Sequence, residues 1–195
     1  MTFSQCIDFI RSDYYRYMRR HDVSLFRMWL YTWINPSFAF LFWFRLTRCN
    51  NPIVSGGARL QYVRKGGKAG IKMPRSVHAG YGLLIAHGGP MVVNGTTRMG
   101  DNCNLYHIVN IGSAYDKAAE LGNEVYVGPH TCLVGNVKIG DGVTIGAGSI
   151  VIRDADAGVT IAGNPARVIS RKTPGRLIYN KWDRAWNHAP VPEGY

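Results

Sequence analysis

The 195-residue chain carries 23 lysines and arginines against 12 aspartates and glutamates, a net charge of +11, with 46% hydrophobic and 12% aromatic residues. This excludes a disordered chain and suffices for one domain with an N-terminal extension. The basic excess points to an anionic partner (nucleotide phosphates, an acidic polysaccharide or anionic lipid), while no DNA- or RNA-binding module is legible and nucleic acid is not expected. Asp8, Arg11 and Asp13 interrupt the start, so no signal peptide is expected, and Cys6, Cys49, Cys103 and Cys132 lack CxxC spacing and read as reduced structural thiols of a cytoplasmic protein.

Residues 1–50 read as helical. Phe3, Ile7, Ile10, Tyr14, Tyr17 and Met18 recur near the 3.6-residue period, with charges mostly opposite, which predicts an amphipathic helix over 3–20. Ser24 can cap a second helix that stops near Asn35-Pro36, and Ser37 a third that runs to about Arg48. Met28 to Phe44 is uncharged and rich in tryptophan and phenylalanine, but Pro36 bisects it, and a spanning helix needs about 20 apolar residues. Residues 28–44 are expected either to pack on the helices and on neighbouring subunits or to rest on a membrane surface. Residues 51–70 hold glycines and basic residues and read as a linker.

From Ile71 the period becomes six. Ile71, Val77 and Leu83 are followed, after a ten-residue step, by Val93, Met99, Leu105 and Ile111, then after another by Leu121, Val127, Leu133, Ile139, Ile145 and Val151. Neither helix nor ordinary strand has that period; a β-helix does, each unit being one strand and a turn, three units to a triangular coil. The two long steps predict four-residue insertions, around Ala86–Pro90 and Ala114–Glu120, which leave the solenoid as loops. Residues 173–195 read as a short helix that frays.

The segments LVGNVKIGDGVTIGAGSIV and AGNPARVI resemble the hexapeptide-repeat, or left-handed β-helix, acyltransferases. AHGGPMVVNG and GDNCNLYHIVNIGS are similar to their serine acetyltransferase-like branch, and FWFRL to members that O-acetylate surface polysaccharides; the resemblance spans residues 8–172. It implies a left-handed parallel β-helix over 71–172, acetyl-CoA as cosubstrate, and a homotrimer, or a pair of trimers, with sites between subunits. The expected acceptor is a hydroxyl of a capsular, exopolysaccharide or lipid-linked glycan, which would place the enzyme at the inner face of the membrane. The alternatives are a serine O-acetyltransferase and a non-catalytic binding scaffold.

Acyl transfer from a thioester to a hydroxyl needs a base, oxyanion donors and alignment. Histidine suits the first task near neutral pH, and His87, between Ala86 and Gly88-Gly89 in the first inserted loop, is the expected base. His107, one coil away, is a second acid or base or an acceptor contact; His21, His78, His130 and His188 read as structural or surface residues. Asn94 and Tyr106 are expected to contact the acceptor, and Asn94 or a backbone carbonyl to orient His87. The resemblance assigns the pantetheine arm to Gly112, Ser113, Gly128 and Ala147, and the phosphates to Arg167 and Lys172. The serine-specific pattern has an aspartate where Ala86 stands, another near Lys72, and a second histidine where DKAAELG stands, departures that count against serine as the acceptor. No pair of histidines has metal-ligand spacing, so no metal is expected.

Overall fold

A computed structural model describes residues 1–172, 174–175 and 177–193. Four helices precede the repeats: α1 (Phe3–Met18), α2 (Leu25–Tyr31), α3 (Pro36–Leu46) and α4 (Pro52–Ala69). Thr2 and Gln5 form a capping box on α1, and Asn35, rather than Ser37, caps α3 with Pro36 in the first turn. The fourth helix replaces the expected linker. Asn51 accepts from the Ile53 and Val54 N–H groups, Pro52 starts the helix and Gly70 ends it in the left-handed region, so its punctuation outweighs four internal glycines. Gly66 has a packing reason: a Cβ there would lie 3.1 Å from the Ile71 carbonyl and 3.3 Å from the Phe40 ring.

Among the described residues, fifteen short strands follow: β1 (Ile71–Lys72), β2 (His78–Ala79), β3 (Leu84–Ile85), β4 (Met91–Val93), β5 (Arg98–Met99), β6 (Asn104–Leu105), β7 (Asn110–Gly112), β8 (Glu120–Leu121), β9 (Tyr126–Val127), β10 (Cys132–Val134), β11 (Lys138–Ile139), β12 (Thr144–Ile145), β13 (Ile150–Val151), β14 (Thr160–Gly163) and β15 (Ala166–Ser170). They make a left-handed parallel β-helix. Its three faces are β1-β4-β7-β10-β13, β2-β5-β8-β11 and β3-β6-β9-β12-β14, the last extended by the antiparallel β15. The prism is filled by residues such as Ile85, Leu105, Val127 and Ile145, stacked in register.

The register corrects the phase of the first coil. Ala79 pairs with Met99 and Ile85 with Leu105, so Val77 and Leu83 belong to the flanking inward series that includes Cys103 and Val109. Both series are buried, and apolarity alone could not choose between them. The regular rise pairs Val93 with Ile111, 18 residues on; Ile71 pairs with Met91 at 20 and Met99 with Leu121 at 22. The His87 loop therefore holds two extra residues rather than four, and the Ala114–Glu120 region four.

The helices join the first coil through buried charge. The Arg45 guanidinium donates to both Asp13 oxygens at 2.8 and 3.0 Å and to the carbonyls of Ala79 and Gly80 at 2.6 and 2.7 Å. Asp13 also accepts from the Leu83 N–H, Ser12 from Gly82, and Arg16 donates to the Gly82 carbonyl and Asn104. The expected short helix is one 3-10 turn, Arg184–Trp186, and the described part of the tail is a strap rather than frayed: Trp182 and Asn102 exchange two hydrogen bonds, Lys181 pairs with Glu124, and Asp8 accepts from the His188 and Ala189 N–H groups.

Arg45→Met should lower unfolding free energy by roughly 3–5 kcal/mol, the usual cost of orphaning a buried charge. Burial raises the Asp13 carboxyl and Arg45 opposes that rise, so without Arg45 the folded chain holds the Asp13 proton more tightly still than the unfolded one. The deficit is smallest below about pH 4, where both states are protonated, and grows as pH rises. Urea unfolding at several pH values checks both parts.

Candidate active site

His87 follows β3 at the corner where the third face meets the first. His87, Gly88 and Gly89 all have positive φ, at 65°, 62° and 92°. Three successive left-handed residues swing the loop outward, a conformation glycine adopts freely and histidine does not. Among the described residues no backbone–backbone hydrogen bond uses the N–H groups of these three residues, which leaves them as candidate oxyanion donors. The loop is held from the helices. The start of α3 faces Gly88, whose added Cβ would sit 3.3 Å from Ser37 Oγ, and Gly70 at the end of α4 abuts Pro90. Beneath it the Tyr17 hydroxyl donates to the Ile85 carbonyl at 2.9 Å and accepts from the Ile85 N–H at 3.2 Å, satisfying the outer edge of β3.

His87 is exposed and makes ring contacts only: Tyr106 at 5.6 Å and His107 edge-on at 6.2 Å. His107 is half-buried, its Nδ1 has no hydrogen-bond partner among the described residues, and it stands 5.5 Å from His130. The corner thus carries a column of His87, His107 and His130. Beside it runs a pair, Tyr106 and Tyr126, 4.9 Å apart, in which burial first and Tyr106 second push the Tyr126 hydroxyl up to about 12. Sequence reasoning set His130 aside; its place three residues after the inward Val127 is the signal that puts it on this corner.

Gly128 and Ala147 lie lower on the same corner. A Cβ at Gly128 would come within 2.8 Å of the Ala147 N and the Ile145 carbonyl, so coil packing already accounts for that glycine. Asn94, Gly112 and Ser113 lie on the next corner, away from His87. Asn94 donates to Ser113 Oγ at 3.1 Å and accepts from the Thr96 N–H and hydroxyl, so within one chain it does not orient His87. Gly112 differs: an added Cβ would meet nothing within 4 Å and its φ is ordinary, so the fold does not require glycine there. Arg167 and Lys172 are exposed on and just after β15.

Above the loop opens a cleft of about 880 Å³, lined among others by Tyr17, Asn35, Ser37, Lys68, Ala86 and His87, with no carboxylate in its wall. Sequence reasoning missed Lys68 and Ser37 because it read α4 as linker and Ser37 as a cap. Among the described residues no three metal-ligating side chains converge, and no helix is long and apolar enough to cross a membrane.

Residues 118–153 match the family model described as bacterial transferase hexapeptide (six repeats). The serine acetyltransferase of Synechococcus elongatus is 37% identical over 106 residues, covering 52% of this chain and 43% of its own. That of Helicobacter pylori is 35% identical over 106 residues, 52% of this chain and 62% of its own. The chain thus spans less than two thirds of the curated relatives it matches. Among solved structures, soybean serine acetyltransferase apoenzyme is 26% identical with a TM-score of 0.62, covering 85% of this chain and 68% of that one. The Neisseria gonorrhoeae serine acetyltransferase in complex with serine has a TM-score of 0.68 at 22% identity, covering 86% and 70%, a likeness of fold. These relatives overturn the saccharide acceptor expected from FWFRL and from the residues missing around His87.

Tyr17→Phe removes the hydroxyl that pairs both Ile85 backbone groups. A loss of about 1–3 kcal/mol in stability is expected, the cost of leaving buried polar groups unmade, with faster amide exchange at Ile85 than at Leu105. Hydrogen-exchange mass spectrometry across 80–90 reads it.

Proposed function

We propose that the chain is an acetyl-CoA-dependent O-acetyltransferase whose acceptor is the hydroxyl of L-serine. The observation that carries this is His87 presented on an enlarged corner loop of a hexapeptide β-helix, in a chain whose matched relatives are serine acetyltransferases. In this reading His87 takes the acceptor's hydroxyl proton as its oxygen attacks the thioester carbon. The Gly88 and Gly89 N–H groups meet the oxyanion, and the imidazolium returns the proton to the departing thiolate. Lys68, exposed on the cleft wall, supplies the charge that a carboxylate-bearing acceptor needs. No covalent enzyme intermediate is required.

The open space at Gly112 supports a cosubstrate arm approaching the backbone there, with Ser113 beside it and Ala147 on the facing corner. Arg167 and Lys172 are cations suited to its phosphates. Since Gly112 and His87 lie on different corners, a complete site draws one corner from each of two copies, which is the reason for proposing a homotrimer. A second copy would also supply the group that orients His87, for which one chain offers ring contacts alone.

The decisive assay is thiol release from acetyl-CoA with and without L-serine. Release that depends on L-serine is expected, and release indifferent to it overturns the reading. His87→Ala should lower kcat by roughly 10²–10⁴. His107→Ala should raise the KM for L-serine more than it lowers kcat. A folded His87→Ala protein with unaltered turnover would remove His87 from the mechanism.

A further inference from the structure

We infer that the outer face of α2 and α4 is a contact surface for an anionic lipid bilayer. The uncharged stretch from Met28 to Phe44 divides into two parts with opposite fates. On α3, Phe38, Phe40, Leu41, Phe42 and Phe44 are buried. On and just after α2, Phe26, Trp33 and Ile34 are 65%, 73% and 77% exposed, with Trp29 and Leu30 also at the surface. Phe26, Trp29 and Trp33 form a chain of ring contacts at 5.9 and 6.0 Å, so the exposure is contiguous. Isolated exposed apolar residues are ordinary; an aromatic cluster of this kind marks an interaction site.

The cluster is framed by cations. Between α2, α3 and α4 lies a cleft of about 280 Å³ lined by Trp29, Trp33, Trp43, Arg64, Lys65 and Lys68. Lys65 Nζ sits 5.5 Å from the Trp33 ring, and the buried Trp43 indole N–H has no hydrogen-bond partner among the described residues. From Val23 to Gly100 the sequence contains ten lysines and arginines and no aspartate or glutamate. Tryptophan beside lysine and arginine suits the headgroup level of a bilayer: exposed rings sink into the acyl boundary while the cations meet phosphates. Charge argues against a second copy as occupant, because a two-fold pairing of this face sets like charges against like. The acid-free stretch gives a self-pairing nothing to neutralise them. The inference is independent of the acceptor.

Co-sedimentation with phosphatidylcholine vesicles, with and without about 30 mol% phosphatidylglycerol, tests it. Binding to the anionic vesicles alone is expected, falling when salt is raised from about 0.1 to about 0.5 M. Arg64→Gln/Lys65→Gln should weaken partition about thirtyfold, from about fivefold per basic residue near an anionic surface. Phe26→Ser/Trp33→Ala should abolish binding while the circular-dichroism melt stays in place. Three results overturn the inference: equal, salt-indifferent binding to neutral vesicles; full competition by millimolar inorganic phosphate, which would make the cleft a free-anion site; or no vesicle binding with a larger assembly that Trp33→Ala breaks down to trimers, which would make the face a contact between copies.

Discussion

The Asp13–Arg45 pair is the constraint on which the rest of the molecule depends. Both side chains are buried, and between them they hold the Leu83 N–H and the Ala79 and Gly80 carbonyls of the first coil. A solenoid's end coil has unpaired backbone and an uncovered core. Here that end is closed by helices, and the closure is polar as well as apolar: Phe40, Leu41 and Phe44 enter the same core as the repeat residues, while Arg45 bonds the Ala79 and Gly80 carbonyls and Asp13, Arg16 and Tyr17 bond backbone groups of Gly82, Leu83 and Ile85. Aligned charge–carbonyl bonds fix orientation in a way apolar contact does not. That orientation sets where α3 and α4 stand over the His87 loop, and so the shape of the cleft.

How legible this was depends on the range of the signal. The six-residue period is a local, repeated pattern, and it located the solenoid and its two enlarged regions. The phase of the first coil was not legible, because Val77, Ala79, Leu83 and Ile85 are all apolar and all buried; only pairing with Met99 and Leu105 tells the two series apart. Helix α4 carried its start and stop signals in Asn51-Pro52 and Gly70, but four internal glycines outweighed them in the reading. In the strap of residues 177–193 the short helix was legible and the docking was not. Trp182 is ordered by Asn102, eighty residues away, and nothing near it in sequence announces that partner.

The candidate site shows the same division. His87 was legible because it combines an interrupted period with a residue type suited to proton transfer. The residues around it were not, because they arrive from different coils and different helices. Asn94 looked close in sequence, yet the strand β4 carries it to the next corner, where Ser113 and Thr96 occupy it. His130 looked remote, yet the coil repeat stacks it beside His107. The missing aspartate at Ala86 and the missing second histidine suggested a change of acceptor. Yet the cleft wall above His87 comes from α3 and α4 as much as from the repeats, and there Ser37 and Lys68 offer polar and cationic groups that the repeat motif does not contain.

The two faces of the helical module meet at one residue. Lys68 lines both the cleft above His87 and the tryptophan-lined cleft of the outer surface. Its ammonium is the exposed charge common to both, and opposite charge drawn to one side lowers the positive potential on the other, with an effect that weakens beyond a Debye length of about 10 Å. The last turn of α4 is in turn fixed by Gly70 against Pro90, at the far end of the loop that carries His87. The outer surface and the cleft over His87 therefore share one cation, Lys68, and one helix end, that of α4.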